Sequence, residues 1–98
     1  MMTDLICEAI RQRKIISFYY EGGKRIVEPY TFGYDRKDKP KLRAYQIKGY
    51  SSSGKPEGWK LFEVDKVSDI HILNETFTVR PEYNWSGDKH IPDIICKV

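Results

Sequence analysis

Residues 59–73 read Trp-Lys-Leu-Phe-Glu-Val-Asp-Lys-Val-Ser-Asp-Ile-His-Ile-Leu, and this stretch decides the fold. It starts as an alternating strand, with Lys60, Phe62 and Val64 on one face and Trp59, Leu61 and Glu63 on the other. The alternation breaks at Asp65-Lys66-Val67, too short for a helix and well suited to one tight helical turn. A second strand follows, with Ile70 and Ile72 on one face. Strand, single turn, strand is how a very small barrel takes its sheet around a corner, because closure needs sharply curved strands. The corner carries Lys60 on its strand and Lys66 in its turn, so it is expected to wall any site.

The residues before it supply the rest of the barrel. Thr3 or Asp4 can cap a short helix running to about Arg13, with Leu5, Ile6, Ala9 and Ile10 on one stripe. A helix of three turns does not stand alone in water, so the stripe must lie on the sheet. Residues 15–20 are β-branched and aromatic and read as a strand. Glu21-Gly22-Gly23-Lys24 is a hairpin turn, because its glycines accept the positive φ that tight turns need. Residues 25–34 return as a second strand, in which Pro29 marks an edge or a bend. Residues 33–40 read as a charged loop. Residues 42–50 form a third strand, with Leu42, Ala44 and Gln46 on one face and Arg43, Tyr45 and Ile47 on the other. A Ser-, Gly- and Pro-containing loop at 51–58 leads into the opening strand. The sequence therefore predicts a mainly β domain at 1–77: a five-stranded half-open barrel with an N-terminal helix. Residues 78–98 are an irregular tail. Phe77, Val79, Tyr83 and Trp85, with Ile91, Ile94 and Ile95, are apolar enough to pack on the barrel or on a partner.

Composition excludes several classes. Ninety-eight residues make one modest core, and 40% hydrophobic with 32% charged residues fits a folded, well-solvated domain. No apolar run approaches a membrane span, and Asp4 and Glu8 interrupt the short N-terminal apolar stretch, so a soluble cytoplasmic protein without a signal peptide is expected. Residues 1–50 carry eleven Lys/Arg against six Asp/Glu, and residues 51–98 six against eight. Six basic residues and one acid, Asp38, lie between Arg36 and Lys48. Such a run suits phosphates or another anion, and equally a solvated hairpin whose charges discourage edge aggregation. Cys7 falls on the apolar side of the helix as a small core residue, and a bond between Cys7 and Cys96 is disfavoured in a reducing compartment. The two cysteines, His71 and His90 lack ligand spacing, so no metal site is expected. No nucleophile elbow, Walker-type loop or zinc-protease motif occurs, and His71 has no implied nucleophile; neither an enzyme nor a cofactor is expected.

The residues resemble the WYL domain family, bacterial regulatory modules with an Sm-like barrel. The likeness covers residues 5–77. It runs through the helix, Ile-Ile-Ser-Phe-Tyr-Tyr at 15–20, the turn glycines, Arg25-x-Val27-x-Pro29-Tyr30, and Leu42-Arg43-Ala44-Tyr45-Gln46. It ends in Lys60-Leu61-Phe62-Glu63-Val64-Asp65-Lys66-Val67, similar to the family's Arg-x-Phe-x-Leu-Asp-Arg-Ile block. The chain departs where the name-giving Trp and Tyr align with Pro40 and Lys41, and where two lysines replace arginines that would grip anions bidentately. The resemblance implies a freestanding Sm-like barrel for sensing a ligand or binding nucleic acid, in the settings of transcription regulation and phage defence. Its ligand would be single-stranded DNA or RNA, a nucleotide-like molecule or another anion, and its partner a regulatory protein.

Carried over by position, Arg25, Tyr45, Lys60 and Lys66 are the candidate binding residues, with Tyr30 and Arg43 as additions. Phosphates want converging Arg and Lys, and single-stranded bases want an exposed aromatic face. Each candidate has a structural competitor. Tyr45 suits a barrel rim, Tyr30 can lock an edge, Arg25 can pair with Glu28 or Asp65, and both lysines can be ordinary surface charges. Backbone amides of residues 51–54 could cradle a phosphate, but such loops are common. The alternative function is assembly: a homo-oligomer pairing barrel edges, with a degenerate ligand surface. What separates the two is whether Arg25, Lys60 and Lys66 converge or scatter into salt bridges.

Overall fold

The computed structural model describes residues 2–51 and 54–98. The chain folds as α1 (Met2–Gln12), β1 (Lys14–Tyr20), β2 (Gly23–Tyr34), β3 (Pro40–Gly49), β4 (Gly58–Glu63), a 3-10 turn (Val64–Lys66), β5 (Ser68–Thr76) and β6 (Asp93–Lys97). The fold is mainly β with one N-terminal helix, as the alternation predicts. Five strands lie antiparallel in the order β4-β3-β2-β1-β5. β4 and β5 stand at opposite ends of this path, yet only the residues from Val64 to Val67 join them in the chain. The sheet must therefore curl. No ladder joins β4 to β5, so the curl stays open; the Glu63 amide instead donates to the Tyr20 hydroxyl at 3.0 Å.

The concave face is the main core. Phe18, Phe32, Leu42, Ala44 and Phe62 line it, and α1 lays Ile6, Cys7, Ala9 and Ile10 onto it. Phe18 and Tyr20 meet the Phe62 ring edge-on, with centroids 5.1 and 4.9 Å away, a geometry that suits the ring quadrupoles. α1 starts at Met2, so Thr3 and Asp4 lie inside its first turn rather than capping it. Among the described residues no helix is long and apolar enough to cross a membrane.

Three expectations need correction. The tail is not irregular throughout, because β6 pairs with the second half of β2 from Thr31↔Lys97 to Tyr34↔Asp93. This is possible because β1 leaves β2 at Val27, vacating the same edge for β6. Pro29 falls in the gap between those two ladders and beside a register shift in the β2–β3 pairing, so a proline is tolerated inside a central strand. The charged loop is also shorter, since β2 continues to Tyr34. Asp35 then holds the connection, its carboxylate accepting from the amides of Lys37 and Lys39 at 2.8 and 2.9 Å.

The third correction concerns the cysteines. Cys7 and Cys96 are joined by a disulfide, with Cα atoms 5.8 Å apart. α1 packs on β6, which brings together residues 89 apart in the chain.

β6 can approach only because residue 33 lacks a side chain. A Cβ on Gly33 would collide with the Asp93 carbonyl oxygen and come within 2.6 Å of Ile91 Cγ2 and 2.9 Å of Ile94 Cα. Gly33→Ala is expected to destabilise the chain by about 1–3 kcal/mol, the usual cost of overpacking. A lower urea midpoint, with β6 amides exchanging faster, would show it; an unchanged midpoint would mean the close approach is not needed.

Candidate anion site at the mouth of the curled sheet

Two of the six candidate residues share the concave face. Arg25 pairs across the ladder with Phe18, and Lys60 with Ala44; cross-strand partners point to one side of a sheet, here the side of the core. Arg25 is only 5% exposed. Its Nη2 donates to the Tyr20 carbonyl at 3.1 Å and its Nη1 to Gln46 Oε1 at 3.4 Å, while Nε has no partner. The guanidinium lies 5.3 Å from the ring centroids of both Tyr20 and Tyr50, and 5.9 Å from that of Phe62. Neither Glu28 nor Asp65 pairs with it, and no other carboxylate among the described residues does. A buried cation is costly unless compensated, and here aromatic faces and neutral acceptors carry the whole load.

Gln46, fully buried, connects this arginine to the next loop: its Nε2 donates to the Tyr50 carbonyl at 2.8 Å. Lys60 Nζ reaches the same loop, donating to the Lys55 carbonyl at 3.0 Å and to Ser51 Oγ at 3.4 Å. Arg25 and Lys60 thus bracket Tyr50 and Ser51, and among the described residues neither is neutralised by an acid. Tyr50 is half-exposed and packs on the β1–β2 turn. A Cβ on Gly23 would sit 2.6 Å from Tyr50 Cγ, so this glycine makes room for the ring as well as for the turn. Ser52 and Ser53, part of the phosphate-cradle reading, lie outside the described residues.

Lys66 does not join them. It is held by Glu63 at 3.1 Å and Glu21 at 3.5 Å, and both acids raise its pKa. The basic run divides in the same way, with Lys41 against Glu63 and Asp35, and Arg43 against Asp88.

Tyr30, Arg43 and Tyr45 stand with the opposite, convex face. There the segment after β5 crosses the sheet as a strap before turning back into β6. Tyr30 is fully buried, its ring 4.6 Å from Trp59, 5.2 Å from Phe77 and 5.1 Å from Tyr83. Its hydroxyl donates to Glu28 Oε1 at 3.1 Å and accepts the Arg80 amide at 3.0 Å. Arg80 closes the knot with a two-pronged grip on Glu28, at 2.9 and 3.3 Å. The same guanidinium lies 3.6 Å from the Tyr45 ring centroid, so that face is already occupied. Arg43 grips Asp88 at 2.7 and 3.3 Å. These three residues fasten the strap and offer no joint surface with Arg25.

Sequence reasoning missed Gln46 and Tyr50. One signal was present: a glutamine continuing the apolar face of Leu42 and Ala44 implies a buried polar partner. No protein-family model matches the chain, and no curated protein or solved structure matches it.

Two titrations test the strap. Burial pushes the Asp88 carboxyl up, but the Arg43 hydrogen bond, the His90 amide and nearby positive charge together hold it below its ordinary 3.8. A lowered folded pKa stabilises the fold above 3.8, and that contribution is lost as acid protonates the folded carboxylate. Asp88→Asn is therefore expected to unfold at lower urea at neutral pH, and its deficit against wild type should shrink in acid. Burial pushes the Tyr30 hydroxyl from 10.0 to about 12, with Glu28 adding to the shift and Arg80 opposing it. That contribution is whole below pH 10 and disappears toward pH 12, a loss of roughly 2 kcal/mol that Tyr30→Phe should not show in alkaline unfolding.

Proposed function

We propose that this chain is a ligand-binding regulatory module that takes a phosphate-bearing, single-stranded nucleic-acid-type ligand at the mouth formed by Arg25, Tyr50 and Lys60. The observation that carries this reading is that Arg25, 5% exposed, has an unpartnered Nε and no carboxylate partner among the described residues. An anion would supply the missing counter-charge, and Lys60 adds a second cation on the same face. Tyr50, half-exposed, offers a ring on which a base can stack. The likeness to WYL domains points to the same class of ligand, with a protein partner whose activity the module would modulate in transcription regulation or phage defence. Binding, rather than catalysis, is the activity proposed. A cytoplasmic setting is part of the same proposal; the Cys7–Cys96 bond is the feature that speaks against it, and its burial to 7% and 6% exposure is what would slow its reduction there.

The second reading, assembly, is favoured by one feature: among the described residues β4 pairs only with β3, leaving an edge for a second copy.

The test is anisotropy of labelled single-stranded DNA and RNA at low and high salt. Affinity should fall steeply with salt. Lys60→Ala should weaken binding roughly tenfold and flatten the salt dependence by about one phosphate contact. Lys66→Ala should change little, because Glu63 and Glu21 already hold that charge. Absence of binding at high protein concentration, or equal binding by Lys60→Ala, would overturn the proposal.

A further inference from the structure

A cleft of about 390 Å³ opens on the convex face, where β3 and β4 meet the strap. It is unrelated to the mouth: Trp59 and Lys60 are neighbours on β4 and so point to opposite sides of the sheet. Its size lies within the range that holds small organic ligands, roughly 300–1,000 Å³. Trp59 and Tyr83 give it an aromatic wall, their rings 26° from parallel with centroids 6.3 Å apart.

The polar groups form a pattern. Glu82 is exposed and makes no ion pair among the described residues; its Oε2 accepts from Trp59 Nε1 at 3.3 Å, which holds the carboxylate beside the indole. Asn84 Oδ1 is already used, accepting from the Ser86 amide at 3.1 Å and the Ser86 hydroxyl at 2.6 Å. Because a backbone N–H can only donate, this fixes the amide's orientation and leaves Nδ2 as a donor. The lining thus offers a carboxylate acceptor pair and one amide donor from adjacent turns of chain. Lys89, which makes no ion pair among the described residues, and His90 complete the rim, while Arg43 and Asp88 neutralise each other.

We propose that this cleft is a site for a guanine-type nucleotide, with the base on Trp59 and Tyr83, its edge read by Glu82 and Asn84, and its phosphate met by Lys89 and His90. The edge of guanine presents O6 as acceptor beside N1–H and N2–H as donors, which matches the Asn84 amide and the Glu82 carboxylate. Adenine presents a donor at N6 beside an acceptor at N1, so it sets a lone pair against Glu82. Stacking supplies affinity for either purine, and the carboxylate supplies the preference. The inference stands on this face alone and does not depend on the mouth.

The chain has two tryptophans, so Trp85→Phe leaves Trp59 as the single fluorescent reporter in the cleft. Titration of that variant with GMP should give saturable quenching, with AMP weaker by about tenfold or more, the discrimination expected of a bidentate pair. Glu82→Gln should abolish the preference for GMP over AMP. Lys89→Ala should weaken GMP while leaving guanosine unchanged, and Lys60→Ala should leave both unchanged. No saturable quenching by GMP, equal quenching by inorganic phosphate, a preference unaltered in Glu82→Gln, or loss of the signal in Lys60→Ala would each overturn the proposal.

Discussion

A single sheet with large apolar groups on both faces must be covered twice, and everything else in this molecule follows from how that is done. The concave side covers itself by curling and by receiving α1 across its end. The convex side receives the strap, and Tyr30 is where sheet and strap are fastened. Its ring is fully buried among Trp59, Phe77 and Tyr83, and its hydroxyl is satisfied by Glu28 and the Arg80 amide. A buried hydroxyl without those partners would cost a few kcal/mol, so Glu28 and Arg80 are needed for the ring to stay buried. The same arginine covers Tyr45, and β6 then anchors the returning chain on the edge that β1 leaves free. The bond between Cys7 and Cys96 ties the two covers to each other.

Covering both faces also sorts the charges. On the convex side the two arginines at the strap each find an acid: Arg80 has Glu28 and Arg43 has Asp88. On the concave side Arg25 and Lys60 find, among the described residues, only carbonyls, an amide, a hydroxyl and aromatic rings. That difference is what the proposed anion at Arg25 and Lys60 rests on. The convex cleft differs in kind. It sets an acid and an amide beside two near-parallel rings, and in the proposed site these would read a base edge and stack the base.

Much of the fold was legible from alternation. The faces of β4 and the return through Ile70 and Ile72 appear in the sequence because a half-buried strand must alternate; the turn expected at Asp65-Lys66-Val67 falls one residue earlier, at Val64–Lys66, so Val64 leaves the strand. β6 was not legible. Asp93–Lys97 is short, follows Pro92, and gains strand character only from a vacant edge of β2 that no local pattern announces. The site was legible in part. Lys60 shares a face with Phe62 in any strand reading, and Arg43 and Tyr45 stand opposite Gln46 for the same reason. What alternation cannot supply is register between strands. Only register puts Arg25 beside Gln46 and Tyr50 rather than beside Tyr45, and only the strap shows which cations already have an acid.

Native-state hydrogen exchange on the intact chain tests most directly whether the two covers form one cooperative unit. The amides to follow are those of Arg80, bonded to the Tyr30 hydroxyl, and Val98, bonded to the Tyr30 carbonyl at 3.0 Å. If sheet and strap are one unit, both amides exchange only on global unfolding, at the opening free energy of the slowest amides in β2 and β3. Exchange at these positions orders of magnitude faster, with β2 and β3 still protected, would mean that the strap opens by itself and that the convex face does not need its cover.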